Sequence, residues 1–257
     1  MTISITFDVE PDIHTKEYKG ITQGLETILK SLDNYQIKAT FFTTCDCIEK
    51  YPSIFKKLKS QGHEISLHAY RHERFDDLTQ KEKENQIKKS IACFKKHLNQ
   101  KPLGFRAPQH SIDDKTLDLL EKNNFEYDSS FTPLNLLQLL FFPKRFSLWF
   151  TGFFSPSHVY KIRKDLYEIP TTSFFIPFVS LVFRAFPKFL LKLYFNFLNS
   201  YNRRIVIYFH SWDFIDVQGR IAKKWPKERM IENLDQLLKY IRKNNKGKFV
   251  RMIDLIK

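Results

Sequence analysis

Residues 62–72 read Gly-His-Glu-Ile-Ser-Leu-His-Ala-Tyr-Arg-His. Gly62 turns the chain into a strand, HEISLH, and the far end of that strand delivers His68. His72 follows four positions later, a spacing that puts two imidazoles on one face of a helical turn, where they can share one divalent metal. An H-x-x-x-H spacing arises by chance on surface helices. Its weight here comes from the segments on either side.

Working back toward the N-terminus, residues 1–10 alternate. Ile3, Ile5, Phe7 and Val9 point one way, while Thr6, Asp8 and Glu10 point the other. The alternation predicts a half-buried strand whose end carries two carboxylates on one face. Gly20 to Tyr35 has apolar residues at helical spacing, KATFFTT reads as a second strand, and Pro52 to Ser60 as a short helix. Working forward, Thr79 and Glu82 form a capping-box pattern at the start of a helix over 79–98. GFRAP is a short strand and loop, 113–124 a helix, and FEYDSS another strand. Alternation of this kind predicts an α/β fold with a parallel sheet closed into a barrel, its chemistry at the strands' C-terminal ends.

The pattern changes after Ser130. Residues 131–202 are rich in Phe, Leu and Tyr and carry eight basic against two acidic residues. A sheet element near LYEIPTT interrupts this stretch. Regular punctuation returns at RRIVIYFHSWDF, followed by a helix near 226–243 and a strand around KFVRMI. The expectation is a single domain over 1–257 with an apolar, basic insertion at about 131–202.

The chain has 257 residues, enough for one large core, with 42 basic and 28 acidic residues and a net charge of +14. That balance favours anionic partners, although part of the excess is an ordinary lysine-rich surface. Cys45, Cys47 and Cys93 are too few and too irregular for a disulfide framework or a cysteine zinc site. The chain opens directly on a strand-like run without the marks of a secretory signal, so a cytoplasmic location is expected.

Asp8 and Glu10, two apart on one strand face, can reach one centre. Glu10 with His68 and His72 gives two imidazoles and a carboxylate and leaves a position open, the pattern of a catalytic zinc site. Asp8 then stands as general base for the water the metal activates. Arg106, in GFRAPQHS, can bind the Asp8 carboxylate through two hydrogen bonds and keep it ionised. His210 ends an apolar strand beside Trp212 and can protonate a leaving nitrogen. Taken singly, each has a plainer reading: solvated acids, a surface arginine, a buried core histidine.

As a set, TFDVEPD, HAYRH, FRAP and YFHSWDF resemble, in order and spacing, the motifs of the polysaccharide deacetylase (NodB-homology, carbohydrate esterase family four) superfamily, over roughly residues 1–130 and 165–257. The resemblance implies a distorted (β/α)7 barrel that hydrolytically removes an acyl group, usually acetyl, from a sugar amine. It makes Asp8 the base, His68 and His72 metal ligands, Arg106 the partner of the base and His210 the general acid, with zinc the usual ion. Many relatives have adjacent aspartates in the first motif, where this chain has Val9 after Asp8. The carboxylate ligand is therefore Glu10 or another group. The resemblance does not extend a catalytic role to Glu168.

Arg184, Lys188 and Lys192 recur every four residues and predict a cationic stripe on one aromatic-rich helix that Pro187 can begin. PLNLLQLLFF and FSLWFTGFF bracket Lys144 and Arg145, and no run is long enough to span a bilayer. The stretch is expected to lie on an anionic membrane surface, or to complete the core or a dimer interface. A greasy, basic deacylase resembles the branch that removes formyl or acetyl from an aminosugar on a polyprenyl phosphate. Its rivals are a deacetylase of soluble or cell-wall polysaccharide, such as peptidoglycan, and an inactive sugar-binding barrel. Nucleic-acid binding is not expected, because the aromatics cluster with aliphatic residues and not along a polar groove.

Overall fold

A computed structural model describes residues 1–12, 15–136, 152–216 and 224–257. Its centre is strand β1 (Thr2–Val9), flanked by β2 (Thr40–Thr43) and β10 (Arg204–His210). Outward from β2 come β3 (Glu64–Leu67), β4 (Gly104–Phe105), β5 (Tyr127–Asp128) and β7 (Tyr167–Glu168). These seven strands are parallel, in the order β10-β1-β2-β3-β4-β5-β7. Strand β6 (Tyr160–Lys161) pairs antiparallel with β7 at the edge, and β11 (Lys248–Phe249) joins the start of β1. A small hairpin, β8 (Ser173–Phe174) with β9 (Ile176–Pro177), follows β7.

The sheet curls on itself. Between β7 and β10, the Thr172 N–H donates to Val206 O at 3.3 Å, and the Tyr208 N–H donates to Phe178 O at 3.2 Å. The fold is therefore a parallel α/β barrel, as the alternation suggested, in the distorted (β/α)7 form that the resemblance implied. Residues 167–183 are part of its wall, so the stretch 131–202 is not wholly an insertion. The segments around Lys144 and Arg145 lie outside the described residues.

The connections carry the helices α1 (Leu25–Asp33), α2 (Cys45–Lys50), α3 (Pro52–Ser60), α4 (Gln80–Leu98) and α5 (Asp114–Lys122), then α6 (Ser180–Ala185), α7 (Lys188–Tyr201) and α8 (Lys227–Lys243). Thr79 and Glu82 close the expected capping box at α4, a device whose loss costs about 1 kcal/mol. Gly62 sits at φ 86°, a conformation that favours glycine, and so delivers β3 from the end of α3.

Strand β1 is buried on both faces, contrary to the half-buried expectation. Ile3, Ile5, Phe7 and Val9 pack outward into the main apolar core with Ile21, Leu25 and Ile28. Each such side chain contributes about 1.5–3 kcal/mol on burial. Ser4, Thr6, Asp8 and Glu10 face a barrel interior, not water. Alternation reports two different environments, and the polar one is a barrel interior lined by hydrogen-bonding groups, which period-two patterning alone does not distinguish from solvent. The bottom of the interior is plugged by residues 252–255, where the Met252 N–H donates to Thr40 Oγ1 at 2.9 Å and the Ile253 N–H to Glu64 Oε2 at 3.1 Å.

The proposed cationic stripe does not form. α6 ends at Ala185 and α7 begins after Pro187, which caps it in an extended conformation, so Arg184 lies on a different helix from Lys188 and Lys192. Arg184 is buried and donates to Trp225 O at 2.9 Å and Asp213 O at 2.7 Å. Lys188 pairs with Glu232, and the Lys192 ammonium lies 5.5 Å from the Tyr240 ring centre. Periodicity of four presupposes one continuous helix, and the proline removed that premise.

Candidate active site

The C-terminal ends of β1, β3, β4 and β10 place the chemistry-bearing groups together. Asp8 is in register with His210 across β1 and β10. His68 immediately follows β3, with its backbone N–H donating to Thr43 O at 2.9 Å. Residues 68–72 are not helical. Ala69 adopts φ 70° and reverses the loop, and the N–H groups of Cys45 and Asp46 donate to the carbonyls of Ala69 and Tyr70 at 3.2 Å each. The imidazoles therefore converge through a loop tied to the start of α2. Their ring centres stand 5.2 Å apart.

His72 Nε2 lies 2.6 Å from Glu10 Oε2, and His68 Nε2 lies 3.3 Å from the same oxygen and 3.5 Å from Asp8 Oδ2. His68 Nδ1 sits 2.8 Å from Arg106 O, an acceptor that requires the proton on Nδ1 and leaves the Nε2 lone pair facing the carboxylates. His68 Nε2 is buried without a hydrogen-bond partner, and Glu10 Oε2 is met only by the two imidazole nitrogens. Glu10, His68 and His72 offer ligand atoms within 4.8 Å of one another. Two imidazoles and a carboxylate whose nitrogen and oxygen lone pairs converge on one another fit a divalent cation of the zinc class. Burial pushes the Glu10 carboxyl up, but His68 and His72 outweigh it and hold it well below the usual range.

Arg106 is completely buried beside this trio. Nη1 donates to Asp8 Oδ1 at 2.8 Å and to Thr6 Oγ1 at 3.1 Å, while Nε and Nη2 donate to Ser129 O at 3.1 Å and Ser129 Oγ at 3.0 Å. One bond reaches Asp8, where two were expected, because the rest of the fork is taken by Thr6 and Ser129. The guanidinium also lies over the Phe42 ring at 4.1 Å. Burial raises the Asp8 carboxyl, and the charges of His68 and Arg106 bring it below its ordinary value.

His210 stacks on Trp212 with centres 4.1 Å apart. Its Nδ1 lies 3.4 Å from Asp213 Oδ2, which also accepts the His210 N–H at 2.9 Å, and its Nε2 lies 2.5 Å from the Tyr208 hydroxyl. Burial opposes protonation of this imidazole, but Asp213 first and then Glu10 and Asp8 raise it. Trp212 Nε1 donates to Glu10 Oε1 at 3.1 Å, so one loop touches both the acid candidate and the ligand candidate.

Asp8, Glu10, His68, His72, Arg106 and His210 are thus gathered in one place, and Arg184, Lys188 and Lys192 are not part of it. Sequence reasoning missed Asp213, Tyr208 and Ser129. An acid three residues after a strand-ending histidine was a usable signal for Asp213, and nothing local marked Ser129. Glu168 lies beside Asp128 in register on β5 and accepts the Phe131 N–H at 3.1 Å. Burial and the Asp128 charge push its carboxyl well up.

The polysaccharide deacetylase family model matches residues 1–127. The chain is 36% identical over 109 residues to a peptidoglycan deacetylase-like protein, FGM2, of Gibberella zeae, covering 42% of this chain and 32% of that one. It is 33% identical over 115 residues to a peptidoglycan deacetylase of Helicobacter pylori, covering 43% and 39% respectively. The chain therefore spans about a third to two fifths of the length of these relatives. The crystal structure of a probable polysaccharide deacetylase from Pseudomonas aeruginosa PAO1 superposes with a TM-score of 0.70 at 15% identity, covering 99% of this chain and 89% of that one. Residues 1–127, just under half of the chain, thus carry the match to the polysaccharide deacetylase family.

Proposed function

We propose that the protein is a metal-dependent hydrolase that removes an N-acyl group, acetyl or formyl, from an aminosugar. The observation that carries this reading is a carboxylate, Asp8, set 3.5 Å from a ligand-type imidazole and in register with a protonatable histidine, His210. Glu10, His68 and His72 would hold the ion, and their donor chemistry favours Zn2+. A divalent cation there supplies Lewis-acid polarisation of water and of the acyl carbonyl.

Asp8 takes the proton from the attacking water, and the water oxygen bonds to the amide carbon. Arg106 keeps the Asp8 carboxylate ionised and aimed before that transfer. His210, charged by Asp213, gives its proton to the sugar nitrogen as the C–N bond breaks, releasing a free amine and a carboxylic acid. Asp8→Asn should lower kcat by about 10²–10⁴-fold with the fold intact. Release of acetate or formate from aminosugar substrates by the metal-loaded protein measures it, and unchanged turnover in the variant would remove the assignment.

The substrate favoured here is an aminosugar on a polyprenyl phosphate, met at the cytoplasmic face of an anionic membrane. Supporting it is a cluster of exposed apolar residues on and beside α7: Phe189 (63%), Leu193 (60%), Phe197 and Tyr201, with Phe175 and Phe154. Arg203 and Arg204 are exposed at its C-terminal end, and Lys188 and Lys192 flank it. No helix among the described residues is long and apolar enough to cross a membrane, so contact would be peripheral. A combined Phe189→Ser, Leu193→Ser variant should lose sedimentation with anionic liposomes and turnover of lipid-linked substrate while keeping its melting temperature. A second reading, deacetylation of peptidoglycan or a soluble glycan, is favoured by the names of the Helicobacter and Gibberella relatives. Faster release from a chitooligosaccharide than from the lipid-linked sugar would select it.

A further inference from the structure

Away from this site, α2 and α4 bring together three donors of different kinds. Glu49 stands near the end of α2, and Cys93 and His97 lie four apart on α4, hence on one helix face. A Glu49 carboxylate oxygen, the Cys93 sulfur and a His97 ring nitrogen lie within 4.8 Å of one another. Cys93 is 4% exposed, and its sulfur rests 3.8 Å from Cys45 O. His97 Nε2 is buried with no hydrogen-bond partner, a state that costs about 1–3 kcal/mol unless something fills it. Both Glu49 oxygens are held by the Tyr70 hydroxyl, at 3.1 and 3.2 Å.

We propose that Glu49, Cys93 and His97 form a second metal site, separate from Glu10, His68 and His72, that takes a thiophilic divalent cation of the zinc class. Sulfur, imidazole and carboxylate are together a donor set suited to zinc and poorly suited to magnesium or calcium. Donors around a tetrahedral ion stand about 3.3–3.8 Å apart, so atoms within 4.8 Å of one another need to close by at most about 1.5 Å. The Cys93 thiol loses its proton to solvent as the sulfur–metal bond forms, and one position remains for water. The ion would clamp α2 to α4 beneath the loop that carries His68 and His72, since Tyr70 lies in that loop and the start of α2 is bonded to it. Its linear spacing conceals the site, because Glu49 is far from Cys93 in the chain.

The test is a cobalt titration of the metal-stripped full chain. Two equivalents should bind, one of them with the near-ultraviolet thiolate-to-cobalt charge-transfer band that the nitrogen and oxygen donors of the first site cannot give. Cys93→Ser should abolish the band. His97→Gln, at a partly exposed position, should weaken binding at it by more than about 10-fold, the scale on which even outer partners of a ligand act. Glu10→Gln should leave it in place, as should Cys45→Ser and Cys47→Ser. A single equivalent without the band, or a band that survives Cys93→Ser, overturns the proposal. Because the readout is spectroscopic, its failure is distinguishable from failure of the hydrolase reading.

Discussion

At the scale of the residue, the site depends on charges largely withdrawn from water, which must answer one another. Asp213 accepts the His210 N–H and lies beside its ring, while Arg184 donates to the Asp213 carbonyl from behind. Desolvation alone would push the imidazole toward its neutral form, and the Asp213 charge reverses that. A general acid must carry its proton before the step it catalyses. Removing the Asp213 charge lowers the His210 pKa, so the neutral, inactive form appears at lower pH. Asp213→Asn should therefore move the basic limb of the pH–rate profile toward lower pH, with activity at the acidic side least affected. An unmoved basic limb would show that His210 is not the titrating acid. Asp213 stands within YFHSWDF, yet only the backbone turn after β10 brings its carboxylate beside the His210 ring.

At the scale of the element, the turn that precedes α1 packs against the loop that carries Trp212. Gly24 makes this possible, since a Cβ there would fall 2.4 Å from Ser211 O, a backbone atom with no side-chain freedom to yield. Gly24→Ala should force the two elements apart, at a cost of about 1–3 kcal/mol. Because Trp212 bonds Glu10 and stacks on His210, the same change should lower turnover at temperatures where the variant remains folded. Urea denaturation beside steady-state kinetics measures both effects, and wild-type values for each would refute the packing argument. Helices α3, α4 and α5 lie where apolar periodicity and capping residues indicated. Residues 68–72 do not: the spacing of the histidines fits one helical turn, but hydrogen bonds from the start of α2 hold the segment as a loop. Spacing alone could not distinguish these two ways of bringing the same rings together.

At the scale of the whole molecule, the barrel is closed at one end by chemistry and at the other by the chain's own C-terminal residues. Glu64 sits in that lower end and accepts four hydrogen bonds: Thr40 Oγ1 and the Ile253 N–H on one oxygen, Ser66 Oγ and the Tyr127 hydroxyl on the other. Glu64→Gln would turn an NH2 group toward two donors. The expected loss is about 1–3 kcal/mol, read as a lower denaturation midpoint with the slope unchanged. A variant as stable as the wild type would mean that the plug contributes no ordering of its own.

The sequence by itself determined the parallel α/β architecture and the order of the strands along the chain, and it singled out Asp8, Glu10, His68, His72, Arg106 and His210, which the structure brings together. These follow from local periodicity and from side chains whose chemistry is recognisable at strand ends. Only the tertiary structure decided that the polar face of β1 lines an enclosed interior, that Arg106 divides its donors among Asp8, Thr6 and Ser129, and that Arg184 is buried support and not part of a surface stripe. The physical reason is that burial and hydrogen-bond partnership are properties of surfaces brought together from distant parts of the chain, and alternation or spacing within one segment carries no record of what closes over it.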